Sequence, residues 1–338
     1  MVANEAVYYN FEAEREDALA ADGATVVPVF TGEEGGNVYA DVVLPDVSVL
    51  GAADSLSIDL TMGCIGEGEF GTCPAWDYMA YAYMCDQPAS TDNPYASTAC
   101  SEGDTLPGTC ATPLGATRDG THACLEDGTG YGDVSCPCDT EIARWITTYH
   151  REGRWVYDIS PMLPLFTSGG TRTLRFQSSN AYTLTGSLRF TNQGKATKPT
   201  QLQYLTLSEA SETFSVPATA AKVELATVIS QHSQPCGEFC DAEHHFVLNG
   251  DTTAEIVRSF PGAGTSEGCM DQVSEGTVPN QYGTWWYGRA GWCPGKEVPT
   301  VTHDITSQVV VGGENTLEYS VVGDAGNVRR RFWVLTSE

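Results

Sequence analysis

The sequence predicts an all-β protein built of sandwich domains, and three observations carry that expectation. Apolar and polar residues alternate with a period of two wherever the chain is not glycine-rich, the signature of strands with one face on a core. Helix formers are scarce, with only four lysines among 338 residues, whereas 35 Gly, 17 Pro, 15 Tyr, 11 Phe and 7 Trp favour strands and turns. Twelve cysteines split eight to four between the two halves, an even number in each, as a disulfide framework requires. The length suffices for two domains with real cores.

In chain order, the stretch around Ala13–Gly23 reads as a short helix or a loop. With Glu5, Glu12, Glu14, Glu16, Asp17 and Asp22 ahead of Gly23, the start has no apolar signal core. The cysteine usage indicates an oxidising compartment, so the expectation is an exported chain, secreted, periplasmic or on the cell surface, with its signal peptide removed. Alternation then marks strands beginning at Val38, Asp54, Arg172 and Tyr182, and in the second half at Ala221, His244 and Asn315. Between the halves, QGKATKPTQL (193–202) is polar, contains proline and holds two of the four lysines, which places a boundary there and domains at 1–196 and 197–338. Residues 85–139 interrupt the first domain. They hold six cysteines and nine acidic residues with almost no alternation, and read as a disulfide-laced surface insertion that cannot fold on apolar burial alone.

Charge excludes whole classes of partner. Seventeen Lys and Arg against 44 Asp and Glu give a net charge of -27, which repels nucleic acid and anionic lipid. Arg329, Arg330 and Arg331 run straight into apolar residues and read as strand chemistry. No stretch approaches 18 apolar residues, so membrane insertion is not expected. Structural zinc is disfavoured because the C-x₂-C knuckle is absent. Asp119, Glu126, Asp127 and Asp133 of the insertion are spaced like calcium ligands, but the twelve-residue loop with its terminal Glu is not matched, and a solvated loop is the preferred reading.

Three segments are unusual for a plain sandwich: GTCPAWDYMAYAYM (71–84), VISQHSQPCGEFC (228–240) and TWWYGRAGWCPGKEVPT (284–300). Each sets a carboxylate or an arginine among aromatics and cysteines. That is the composition of a sugar-binding cleft, with ring faces for pyranoses and carboxylates for hydroxyls. Together the segments resemble the peptide-N-glycosidase F family, bacterial amidases that release asparagine-linked glycans. CPAWD (73–77) matches the family's C-x-E-W-D element, EIARWITTY (141–149) and YDIS (157–160) look like its next strands, CGEFC (236–240) looks like C-x-E-x-C, and RAGWCPG (289–295) is the most specific match.

The resemblance implies two antiparallel jelly-roll domains packed side by side with the cleft between them, and the insertion as an addition to the first. It implies disulfides Cys64–Cys73, Cys236–Cys240 and Cys269–Cys293, with the six cysteines of the insertion pairing among themselves. Asp77 takes the position of the principal catalytic aspartate, Glu238 that of a second cleft carboxylate, and Arg289 is the basic residue of the site. Trp76, Tyr78, His232 and Trp292 are the expected substrate contacts, Tyr78 standing where the family has a basic residue. A third family carboxylate falls on Val156. The implied substrate is an N-glycosylated protein or glycopeptide, acted on by a monomer with no cofactor and no metal.

Two other functions fit parts of the sequence. A carbohydrate-binding or surface adhesion module of the same fold needs the aromatics without the chemistry. A copper-dependent monooxygenase needs clustered histidines, whereas His122, His150, His232, His244, His245 and His303 are dispersed. Convergence of Asp77, Glu238 and Arg289 favours the amidase over copper.

Overall fold

The computed structural model describes residues 2–66, 72–85, 115–118, 122–125, 140–207, 211–233 and 236–338. Most of the 85–139 insertion, its cysteine pairing and its calcium-like acidic loop lie outside the described residues.

Helix α1 (Val2–Ala21) precedes β1 (Thr25–Val43), the short α2 (Val47–Ala52) and β2 (Ser55–Gly63). Then come β3 (Met79–Met84), the hairpin of β4 (Gly115–Arg118) and β5 (His122–Leu125), β6 (Thr140–Ile146), β7 (Gly153–Asp158) and β8 (Thr171–Thr191). The second half contains β9 (Gln201–Leu205), β10 (Ser211–Ser215), β11 (Lys222–His232), β12 (Glu243–Leu248) and β13 (Ile256–Arg258), followed by β14 (Lys296–Glu297), β15 (Val301–Asp304), β16 (Glu314–Val322) and β17 (Asn327–Ser337).

One seven-stranded sheet runs β14-β6-β3-β8-β2-β7 with β1 paired to β8. Two four-stranded sheets, β10-β16-β12-β13 and β15-β11-β17-β9, form the second half. Their shared core holds Phe214, Leu225, Phe246, Leu317 and Phe332, each 1% exposed or less. The larger core joins Leu60, Trp145, Phe166, Phe176 and Leu188 of the first half to Trp292, Val298 and Trp333 of the second.

The sequence separates Arg172–Ser178 from Tyr182–Phe190, but the structure joins them in β8, which pairs antiparallel with β1 from Thr25↔Phe190 to Val43↔Thr171. Register shifts at Pro28/Phe30, Thr31/Glu33 and Gly35/Asn37 let so long a ribbon bend between its two ends.

Helix α1 corrects the expectation of a short helix or loop. Its apolar and charged residues are spread round the helix rather than gathered on one face, so no apolar stripe announces it. Tertiary contacts hold it instead: Tyr8 is buried, Glu5 pairs with Arg151 at 2.6 Å, Arg15 donates to the Arg154 carbonyl, and Asp22 just beyond its end pairs with Arg189.

A buried polar network ties the halves together. Glu141 and Arg144 of β6 form a two-pronged pair (2.8 and 3.0 Å). Arg144 also donates to Ser230 Oγ and the Arg329 carbonyl, and Glu141 meets Arg331 at 3.2 Å. Both side chains are 2% exposed; their mutual pair lies within β6, while the remaining Arg144 donor and the Arg331 contact of Glu141 are partnered only while the halves stay docked. No helix among the described residues is long and apolar enough to cross a membrane.

Candidate active site

The CPAWD segment is non-repetitive chain fixed at both ends. Cys73 is bridged to Cys64, just past β2, and at the other end the segment runs into β3. In between it zips onto residues 147–150: Tyr78 N–H donates to Thr147 Oγ1 (2.9 Å), Thr147 N–H to the Tyr78 carbonyl (2.8 Å), and His150 N–H to the Pro74 carbonyl (3.0 Å). With its backbone so engaged, the segment leaves Trp76 63% exposed and sets Asp77 in a half-buried position.

Asp77 does not stand alone. Tyr149 hydrogen-bonds its carboxylate, and Arg289, from the other half of the chain, lies close enough to act on both. Burial pushes the Asp77 pKa above the ordinary carboxylate value, while the Tyr149 hydrogen bond and the Arg289 charge hold it back. Burial and the Asp77 carboxylate push the Tyr149 phenol up, keeping it a neutral donor.

Arg289 is 5% exposed and fixed in an irregular loop. Its guanidinium donates to the carbonyls of Tyr287 (2.7 Å) and Thr284 (3.2 Å) and stacks over Phe239 and Trp292, 4.7 and 5.2 Å from the ring centroids. The loop is stapled by Cys269–Cys293. Glu238 lies on the neighbouring turn, Gly237–Phe239, closed by Cys236–Cys240 and joined to the Arg289 loop by Ala290 N–H donating to the Glu238 carbonyl (2.8 Å). Gly237 is required there, because a Cβ would strike the His232 carbonyl. Arg289 therefore lies within electrostatic reach of Asp77, and Glu238 precedes Phe239, whose ring lies under Arg289.

Other expected site residues are placed differently. Trp292 is 5% exposed; its indole donates to the Gln231 carbonyl (2.7 Å) and stacks with His232 at 5.1 Å. Its ring has no open face for a sugar, and it is a packing residue beneath Arg289. His232 bonds Ser230 Oγ (2.9 Å) and so joins the Arg144 network. Burial and the nearby Arg144 and Arg329 push its pKa down to about 3, so the ring is neutral at ordinary pH. Tyr78 is half-buried. Val156, where the resemblance places a third carboxylate, lines a cavity of about 490 Å³ with Lys195, Lys222 and Glu297, and Asp77 is not among the residues lining it.

Two site residues escaped the sequence reading. Tyr149 ends a buried strand segment and looks like core; only Asp77's segment folding over it reveals its role. Tyr282, 59% exposed, flanks His150 at 5.1 Å and donates its N–H to the Tyr149 carbonyl (3.4 Å). Its neighbour Gly283 carried the only signal. At φ +68 and with a built Cβ 3.1 Å from the Tyr149 ring, that position suits glycine alone.

Among the described residues no three His, Cys, Asp or Glu side chains converge as metal ligands. His244 is sealed between Gln231 and Tyr319, and His245 between Glu243 and Glu255, on opposite faces of β12.

Comparison with known proteins gives the same frame. No curated protein matches the chain in sequence. Among solved structures, recombinant peptide:N-glycanase F superimposes with a TM-score of 0.63 at 15% identity, over 94% of this chain and 96% of that one. The PNGase F of Flavobacterium meningosepticum, described as a glycosylasparaginase, gives 0.63 at 16% over the same shares. PNGF-II gives 0.60 at 14%, covering 96% of this chain and 66% of its own. These likenesses establish the two-domain jelly-roll fold. Residues 202–337 match the family described as peptide-N-glycosidase F, C terminal. With that match in its second half and the same fold over 94% of its length, the chain is similar to the peptide-N-glycosidase F family.

Proposed function

We propose that the chain is an amidase that removes N-linked glycans from glycoproteins or glycopeptides. The observation that carries this reading is the meeting of Asp77, Tyr149 and Arg289 beside an exposed tryptophan. A carboxylate with a raised pKa is a stronger base than an exposed one, and a neighbouring cation keeps it ionised enough to act. In the proposed step Asp77 takes a proton from a water whose oxygen attacks the carbonyl carbon of the glycosylated asparagine side chain. Arg289 steadies the charge that develops on the carbonyl oxygen. The C–N bond then breaks, the proton passes to the departing nitrogen, and the sugar leaves as a glycosylamine while the peptide keeps an aspartate. Tyr149 orients Asp77, and Glu238 orients substrate or water from the second wall. The step uses carboxylate-held water and no cofactor.

Disulfides at both walls support an exported enzyme. The test is incubation with an N-glycopeptide, reading free glycan together with conversion of the linkage asparagine to aspartate, a mass change of about 1 Da relative to asparagine, as amide hydrolysis requires. Both products are expected, with or without a strong chelator. Binding without cleavage would favour the carbohydrate-binding module, which the exposed Trp76 also suits.

A further inference from the structure

Three buried arginines, Arg144, Arg151 and Arg189, are each no more than 9% exposed, and each grips an acid: Glu141, Glu5 and Asp22. Arg258, 8% exposed, is buried to the same degree but makes no ion pair among the described residues. Its hydrogen bonds all run from one nitrogen, Nη1, to the carbonyl (3.1 Å) and hydroxyl (2.8 Å) of Thr227. Nε and Nη2 have no partner among the described residues, and neither is sealed from solvent. Phe260 covers one side of the guanidinium, its ring centroid 5.2 Å away. The groups whose negative charge would act on Arg258 are the phenols of Tyr157 and Tyr319, and burial pushes both up, leaving them neutral at ordinary pH. Burial lowers the Arg258 pKa only to about 10, so the guanidinium stays charged. A buried cation without a countercharge is costly to keep.

A second unspent polar group stands beside it. Arg258 closes β13 and reaches across to Thr227 of β11, whose other neighbour on that side is β15; β13 and β15 are the end strands of the two sheets of the second half. The guanidinium therefore sits at the open side of that sandwich. Thr227 and Leu225 lie two apart on β11 and point the same way, and Leu225 pairs with His303 of β15. The His303 ring thus stands on the face where Arg258 docks, about 7 Å further along the strand. Its Nε2 is buried and makes no hydrogen bond. Burial and the Arg258 charge hold its pKa below the usual histidine value, so the ring is neutral and open to a partner. The Nε–Nη2 edge of an arginine offers two parallel N–H groups, a geometry matched by two oxygens of one carboxylate or phosphate.

We propose that Arg258 and His303 form a binding site for a small oxyanion, a carboxylate, phosphate or sulfate, which takes two hydrogen bonds from the Nε–Nη2 edge of Arg258 and one from His303 Nε2. Neither residue belongs to the candidate active site, and the inference stands whether or not the chain is an amidase.

The experiment titrates the full chain with sodium acetate, phosphate and sulfate in turn, at an ionic strength held constant with chloride, and follows the His303 ring by NMR beside isothermal calorimetry. At least one oxyanion is expected to saturate and to raise the His303 pKa, because an anion on Arg258 offsets the charge that depresses it. Tm should rise with the same concentration dependence, since the anion binds the folded chain. Arg258→Met, which keeps much of the length and removes the charge, should weaken binding at least about tenfold, as loss of charge-assisted hydrogen bonds predicts. His303→Gln should weaken it about threefold, as for one neutral hydrogen bond. Saturation by acetate alone assigns a carboxylate ligand; saturation by phosphate or sulfate alone assigns a tetrahedral one. No saturation beyond the chloride control, or wild-type affinity in a folded Arg258→Met protein, would overturn the proposal. If Arg258→Met does not fold, His303→Gln decides: reduced affinity sustains the site, and unchanged affinity overturns it.

Discussion

The two walls of the candidate site carry the same motif, a tryptophan close to a charged residue and a cysteine, yet they are built in opposite ways. On the Asp77 wall the chain is zipped along its backbone to residues 147–150, and Trp76 is left 63% exposed. On the Arg289 wall an irregular loop must cover a core, and Trp292, 5% exposed, is consumed as the platform under Arg289 and His232. Tryptophans at similar distance from a charged group are therefore not interchangeable evidence for a sugar subsite. Where the backbone is satisfied by a sheet neighbour, an aromatic can face solvent; where the loop has no ladder of its own, the aromatic becomes the packing that holds it.

The contrast is broken most directly by removing the charge of the first wall. Asp77→Asn should reduce kcat by about 10²- to 10⁴-fold, the usual contribution of a general base. Glycopeptide affinity and thermal unfolding should stay close to wild type. Glu238→Gln should leave measurable hydrolysis, because its proposed work is positioning. Wild-type turnover in a folded Asp77→Asn protein would remove Asp77 from its role.

The tryptophans supply the second test. Trp292→Ala should destabilise the fold by about 3–5 kcal/mol, as expected for deletion of a buried indole. Trp76→Ala, a surface change, should cost less than about 0.5 kcal/mol while raising KM for glycopeptide. Denaturant unfolding of both variants beside steady-state kinetics checks this, and equal stability losses would erase the difference between the walls.

The smallest expected effect is a pH shift. Asp77 acts ionised, so activity falls as pH drops through its pKa, which burial places above the ordinary carboxylate value. The Tyr149 hydrogen bond favours the ionised form and lowers that pKa. Tyr149→Phe should therefore raise it, moving the acidic limb of the kcat/KM profile to higher pH. A limb that stays in place or moves down would show that Tyr149 does not tune the base.

Legibility in the sequence followed the range of the interaction. The strands at Ser55, Lys222, Glu243 and Glu314 were readable because alternation is local, and Asp77 and Arg289 because their neighbouring cysteines and tryptophans form recognisable segments. Helix α1 was not: its partners Arg151, Arg154 and Arg189 lie more than a hundred residues away. Val156, placed by the resemblance where the family has a third carboxylate, lines a cavity that does not include Asp77, and motif spacing carries no record of which cavity a residue lines.

By itself the sequence determined the fold class, the acidic surface and the presence of a carboxylate and an arginine in cysteine-anchored segments. These are consequences of composition and of spacing within a few residues. Only the tertiary structure decided that Tyr149 bonds Asp77, that Trp292 is core while Trp76 and Tyr282 are surface, and that Arg289 crosses from one half to the other. Exposure and charge proximity depend on which distant segments pack together, and a chain read one residue at a time carries no record of that distance.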